Sequence, residues 1–351
     1  MRSVLFLPSS PHHVLWCLGL AAGPFRDARC VLAQIACQEG RPEYLLEALQ
    51  GNAQDLFAEV RSFPKPMTRP AHRFGRGRQV IGSITDWARE IDPQYVVAGS
   101  DMRPEFYAAL RGAPRAIGAY IDDGWGTYRT AEGFPIGPWR AMQSMIAVCA
   151  RRLTLGVWTE RPVLIGGSRA AREAWVMVPE RVHAALSSKI VRPIEPAWFR
   201  DPRVVAVCRD AIGRAGLDPG RLTSVGLVML LPWGPFVQRH PELREMIDRL
   251  IGEHTARGVA IAYKQHPRVR LDGVRLPSAN CFEIPQRLPA EILATVLGEA
   301  LVVGVMTSAL IFLPRLQPGI RVQALVPQAA QHDPITRIYR AMGVGILGSA
   351  G

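Results

Sequence analysis

No run of about 18 consecutive apolar residues occurs in this 351-residue chain, so no membrane-spanning helix is expected. Cysteine pairs at CxxC spacing are missing as well. The six cysteines are Cys17, Cys30, Cys37, Cys149, Cys208 and Cys281, most of them in apolar segments. They read as buried free thiols of a reducing compartment, neither a disulfide framework nor a metal site. Lysine is scarce beside arginine, and there is no clustered basic run, zinc-finger spacing or aromatic RNA-binding signature. Nucleic acid is therefore not an expected partner. Tandem repeats and low-complexity tracts are absent too.

What is present suits a globular α/β protein. Hydrophobic residues make up 48% and charged residues 21%, enough for two cores of ordinary domain size. The net charge of +12 and pI of about 10.0 favour anionic partners such as phosphorylated substrates or an acidic membrane surface. The N-terminus, "MRSVLFLPSSPHHVLWCLGLAAGP", has two apolar runs broken by "PSSPHH". That break argues for a strand, a turn and a helix rather than a signal peptide. A cytoplasmic protein follows, with a basic surface that also suits a peripheral position at the inner membrane.

Short apolar strands alternate with amphipathic helices. "SVLFL", "ARCVLAQIA", "QYVVAGSD" and "AIGAYIDDG" read as strands, and "HHVLWCLGLAA", "PEYLLEALQ", "RQVIGSITDWAREI" and "RPEFYAALRG" as the helices between them. A second set comprises "TSVGLVMLLPWGP", "VAIAYKQHPR" and "LVVGV" as strands, with "HPELREMIDRLIGEHTARG", "AEILATVLGEA" and "TSALIFLPRL" as helices. Alternation of this kind predicts βαβ units and parallel sheets. The proline-rich "VRPIEPAWFRDP" is the candidate hinge. The expected architecture is two Rossmann-like, doubly wound domains, residues 1–195 and 196–351, facing a central cleft.

Ligands of open α/β sheets bind beyond the carboxyl ends of the strands, and three polar clusters fall there. The first is Asp122-Asp123-Gly124, where alternation of strand side chains sends the two carboxylates different ways. One suits a general base and the other a cap on the loop, while Gly124 permits the sharp exit. Because a residue directly before glycine readily caps a turn, Asp122 is the expected base and Asp123 the cap; an ordinary Asp-Gly turn is the alternative. The second cluster is Lys264 to Arg268, where His266 and two cations can hold a phosphate and Pro267 stiffens the turn. The third is Thr307-Ser308 at a helix start, which suits an anion or plain capping. Glu291, at the start of another helix, can accept from ribose hydroxyls or simply complement the helix dipole. Trp233, in the loop after a strand, is a further candidate contact. Ser9 and Ser10 either line the acceptor side or cap the first helix.

In order these residues resemble the bacterial sialyltransferase and polysialyltransferase superfamily, glycosyltransferases of families 52 and 38. That group carries an acidic-acidic-Gly motif, a His-Pro motif and a hydroxyl pair, matched here by Asp122-Asp123-Gly124, His266-Pro267 and Thr307-Ser308. "GTY" after the first motif and "LPAE" between the second and third agree. Thr307 departs from the commoner Ser-Ser but keeps a hydroxyl. The resemblance implies a GT-B fold and a metal-independent, cofactor-free, inverting transfer of sialic acid from CMP-sialic acid to a surface glycan. It makes an aspartate the base, His266 the group at the leaving phosphate, Thr307 and Ser308 the phosphate contacts, and Glu291 the ribose contact. Alternatives are a CMP-Kdo transferase, a CDP-glycerol-type polymerase, and a module that binds nucleotides or polyanions without turnover.

Overall fold

The computed structural model describes residues 2–35, 43–52, 55–64, 73–129, 137–266, 271 and 280–348. Cys37, Pro267 and Arg268 lie outside them. The chain forms two compact units. The first runs to Trp198 and the second from Phe199 on, save for a short stretch ending at Ala48 that groups with the second. The changeover falls in the 3-10 turn Pro196–Arg200, within the proline-rich stretch.

The first unit is built on one sheet. Its strands are β1 (Ser3–Leu7), β2 (Arg29–Ile35), β3 (Glu59–Phe63), β4 (Tyr95–Ala98), β5 (Ile117–Ile121), β6 (Glu173–Val176) and β7 (Ile190–Pro193). They lie in the order β3-β2-β1-β4-β5-β6-β7, and every pairing is parallel. The apolar N-terminal run is thus the middle of a sheet: all five residues of β1 are buried. Parallel strands covered on both faces need such unbroken apolar runs. On one face the helix Arg78–Ile91 packs Val80, Ile81, Ile84, Trp87 and Ala88 into a core with Leu5, Val31 and Val96.

The second unit repeats the plan with β8 (Leu227–Leu230), β9 (Ile261–Lys264), β10 (Cys281–Ile284), β11 (Leu301–Gly304), β12 (Arg321–Val326) and β13 (Gly345–Gly348). Their order is β10-β9-β8-β11-β12-β13, again parallel throughout. The helix Glu242–Ala256 has acidic residues in its first turn, and Gly258 follows it at φ +68°, a value that favours glycine. Both sheets reverse their winding direction beside the first strand, between β1 and β4 and between β8 and β11, which is where open α/β sheets take ligands.

Some expectations change. The segment "AEILATVLGEA" forms only a 3-10 helix, Ala290–Thr295. Not all cysteines are buried: Cys149 is exposed and Cys281 half-buried.

Candidate active site at the strand ends

The tip of β5 separates its two aspartates. Asp122 is fully buried. Its Oδ1 accepts from the Gly124 N–H at 2.9 Å, its Oδ2 accepts from the Met177 N–H at 2.9 Å and from the Tyr128 hydroxyl. The Trp16 indole N–H adds a bond to the Asp122 carbonyl. Asp122 is therefore the residue that caps the turn, a part expected of Asp123. The Gly124 N–H closes an Asx-type turn onto the Asp122 carboxylate, and Gly124 itself, at φ 79°, ψ −122°, takes a conformation that favours glycine as the chain leaves the strand. Burial raises the carboxyl pKa of Asp122 even against these donors.

Asp123 faces the other way. Its side chain is 33% exposed. The Asp123 N–H is held by the Tyr120 and Thr127 hydroxyls, each at 3.1 Å, and these two bond to one another at 2.8 Å. The carboxylate is pushed up to about 7, first by desolvation and then by the charges of Asp122 and Asp101. A carboxylate so placed is accessible, poised near neutrality and free of the capping bonds that occupy its neighbour.

Two histidines from the start of the helix Pro11–Ala22 meet it. His13 Nε2 lies 3.3 Å from Asp123 Oδ1, and His12 Nε2 4.0 Å. Neither nitrogen has an aligned hydrogen-bond partner among the described residues. The opposite edge of the His13 ring is tied to Ser9 Oγ at 2.9 Å and Ser10 Oγ at 2.6 Å. Ser10 occupies the N-cap position without a side-chain capping bond, so the expected capping role of these serines gives way to holding the histidines. Burial pulls the His13 pKa well below its usual value, with His12 and Arg103 adding to the effect, and pulls His12 down to about 4. Both imidazoles are neutral at pH 7. Gly99, at the end of β4, makes room: a Cβ there would lie 2.5 Å from the His13 ring.

Sequence reading did not connect His12 and His13 with Asp123, because the contact joins the ends of β1 and β5 through the sheet. The only local signal was "SSPHH" after an apolar strand. Asp101, beyond β4, is a further buried group at this edge, but its carboxylate is taken up by the Gly166 and Ser168 N–H groups at 2.7 Å each. His12, His13 and Asp123 offer ligand atoms within 4.8 Å of one another, close enough for a divalent cation.

The second unit presents its own cluster. Leu230, Lys264 and Gly304 pair in register at the ends of β8, β9 and β11, so the loops that follow leave one edge together. Lys264 is buried; its ammonium donates to the Gln286 carbonyl at 2.8 Å. Desolvation brings its pKa down to about 8, against the opposing charges of Glu291 and Glu283. Glu291 is buried in the 3-10 helix Ala290–Thr295. His266 is half-buried, and its carbonyl accepts from the Gln286 amide at 2.9 Å. Trp233 is exposed in the loop after β8.

After β11 the chain turns sharply at Met306, φ 48°. The Thr307 backbone is clamped by Tyr339, whose hydroxyl accepts from its N–H at 2.8 Å and donates to its carbonyl at 3.1 Å. Ser308 stands at the N-cap of the helix Ala309–Leu316 and makes no side-chain capping bond. Its hydroxyl is not used in the way plain capping would use it.

Two parallel, Rossmann-like α/β sheets with site residues at their carboxyl edges define the GT-B class of fold. The chain is similar over its whole length to UDP-GlcNAc 2-epimerase from Methanocaldococcus jannaschii, with a TM-score of 0.56 at 12% identity and 89% of that chain covered. Looser likenesses are to ADP-heptose LPS heptosyltransferase II of E. coli (TM-score 0.44, 12% identity, 95% and 88% of the two chains) and to MurG of Acinetobacter baumannii (0.44, 10%, 99% and 86%). At these identities the likeness is one of fold. No protein-family model and no curated protein matches the chain.

Proposed function

We propose that this protein is an inverting, metal-independent glycosyltransferase that moves sialic acid from CMP-sialic acid to a hydroxyl of a bacterial surface glycan, either lipooligosaccharide or a capsular or polysialic acid chain. The observation that carries the proposal is the split of the aspartate pair. One carboxylate is spent on the turn, and the other is left accessible, titrating near pH 7, against neutral His13.

In this mechanism the first unit supplies the base and the second holds the donor. Asp123 takes the proton of the acceptor hydroxyl, whose oxygen attacks the anomeric carbon of the sugar. The bond from that carbon to the phosphate oxygen breaks on the opposite face, and CMP departs with the electron pair. His266 and Lys264 stabilise the charge growing on the phosphate, as do Thr307 and Ser308. Glu291 accepts from the ribose, and Trp233 offers an aromatic face beside the nucleotide. Pro267 and Arg268 complete the motif in sequence. Neutral His13, fixed by Ser9 and Ser10, packs its Nε2 edge 3.3 Å from the Asp123 carboxylate and limits where that side chain can swing without neutralising it.

The test is CMP release on incubation with CMP-sialic acid and, separately, CMP-Kdo, with an acceptor glycan present. UDP-GlcNAc is the third arm, because an epimerase shares the fold. Release from CMP-sialic acid alone supports the proposal. Release from CMP-Kdo alone moves the activity to a Kdo transferase. Interconversion of UDP-GlcNAc, or no CMP release and no CMP binding, overturns it.

A further inference from the structure

The helix Pro138–Leu155 turns its apolar side away from the protein. Trp139 is 64% exposed, Met145 63% and Leu153 71%, with Met142 and Ile146 also exposed. At about 100° per residue these five side chains, together with exposed Cys149, fall on one face about 120° wide. The opposite face is the one that meets the domain. It carries half-buried Ser144, Ala147, Val148 and Arg151 and buried Leu155, and Arg151 donates to the Met102 carbonyl at 2.8 Å. A surface helix ordinarily points its apolar stripe inward; this one points it out, and nothing among the described residues covers it.

Charge identifies the occupant. From Pro138 to Thr159 the sequence has no acidic residue; of its arginines, Arg151 is spent on the domain side and Arg152 is left at the outward side. Arg152 is exposed at the edge of the apolar face and stacks over Trp158 at 5.5 Å, and Trp158 is itself exposed. Beyond it Arg161 and Val163 are exposed, and the intervening Glu160 is half-buried with its carboxylate accepting from the Arg169 N–H at 2.9 Å. Leucine, isoleucine and tryptophan beside arginine form the pattern of a helix that lies in the plane of an anionic bilayer, its apolar side among the acyl chains and its cations at the headgroups. No helix among the described residues is long and apolar enough to cross a membrane.

We infer that the outward face of the helix Pro138–Leu155, with Trp158 and Arg152 at its end, docks the protein on an anionic lipid surface. The inference stands apart from the identity of the donor sugar.

The experiment is co-sedimentation of the full chain with vesicles of phosphatidylglycerol and phosphatidylcholine, and with vesicles of phosphatidylcholine alone. The wild type should pellet with the anionic vesicles, lose most of that binding in high salt, and bind neutral vesicles weakly. Replacing Met145, Ile146 and Leu153 by serine should weaken partitioning about tenfold or more, with an unchanged melting temperature because all three side chains are already in solvent. Failure of the wild type to bind anionic vesicles overturns the inference. So does equal binding by the triple-serine variant. Sedimentation equilibrium is the second measurement: self-association abolished by the triple substitution, without vesicle binding, would assign the face to a second copy of the chain instead.

Discussion

Adjacent aspartates at the tip of one strand are worth separating by substitution, because the structure gives them opposite environments: Asp122 buried in capping bonds and Asp123 partly exposed. Asp123→Asn keeps the shape of the side chain and removes the proposed base. Loss of general base catalysis costs about 10²- to 10⁴-fold, so kcat should fall by at least about 10²-fold, while the denaturation midpoint at neutral pH should hold or rise because a partly buried, unfavourable charge is gone. Asp122→Asn should do the reverse in stability. Its carboxylate accepts from two backbone N–H groups and a hydroxyl, and an amide would turn an NH2 group toward one of these donors. A buried mismatch of this kind costs about 1–3 kcal/mol, readable as a lower midpoint in urea. If Asp122→Asn were stable and inactive and Asp123→Asn active, the assignment of the base would be wrong.

At the scale of the element, the central strands were legible and the edges were not. The runs of β1, β5 and β8 are apolar because both faces of a parallel sheet are covered. In β3, "EVRSF", only Phe63 is buried, and β13, "GILG", has no buried residue. Edge strands do without the apolar run, so their sequences look like loop. β6 hides a glutamate, Glu173, that only its partner on β7 explains: Arg192 bonds it at 2.7 Å. The site shows the same limit. That Asp122, Lys264 and Thr307 end strands could be read from the alternation of elements. That His13 meets Asp123 could not, since it depends on β1 and β5 flanking β4 in one sheet. The glycine at the end of β4 tests this packing. Gly99→Ala should drive its methyl into the His13 ring and cost about 1–3 kcal/mol of overpacking. Turnover should fall with it, and the double variant Gly99→Ala/His13→Ala should regain stability but not full activity. Unaltered kinetics in Gly99→Ala would remove His13 from any positioning role.

At the scale of the whole molecule, the proposed reaction makes predictions for metal and for pH. Because His12, His13 and Asp123 bring three ligand atoms together, metal independence needs its own test: dialysis against EDTA should leave turnover intact, and loss that zinc or another divalent cation restores would make the cluster a metal centre. The pH profile is the more demanding test, since each limb belongs to a different unit. The base must be ionised, and Asp123 titrates at about 7, so kcat/KM should fall as pH drops through that value. The same shift favours the folded state when Asp123 is protonated. Its contribution to stability is therefore present at low pH and lost as pH rises from the ordinary carboxylate range through about 7. Lys264 loses its proton at about 8; above that pH it no longer attracts an anionic donor, and kcat/KM should fall again. The predicted profile is a narrow bell between roughly 7 and 8. Lys264→Met should raise the donor KM and remove the alkaline limb while leaving the acid limb in place. An alkaline limb that survives this substitution would show that another group controls donor binding.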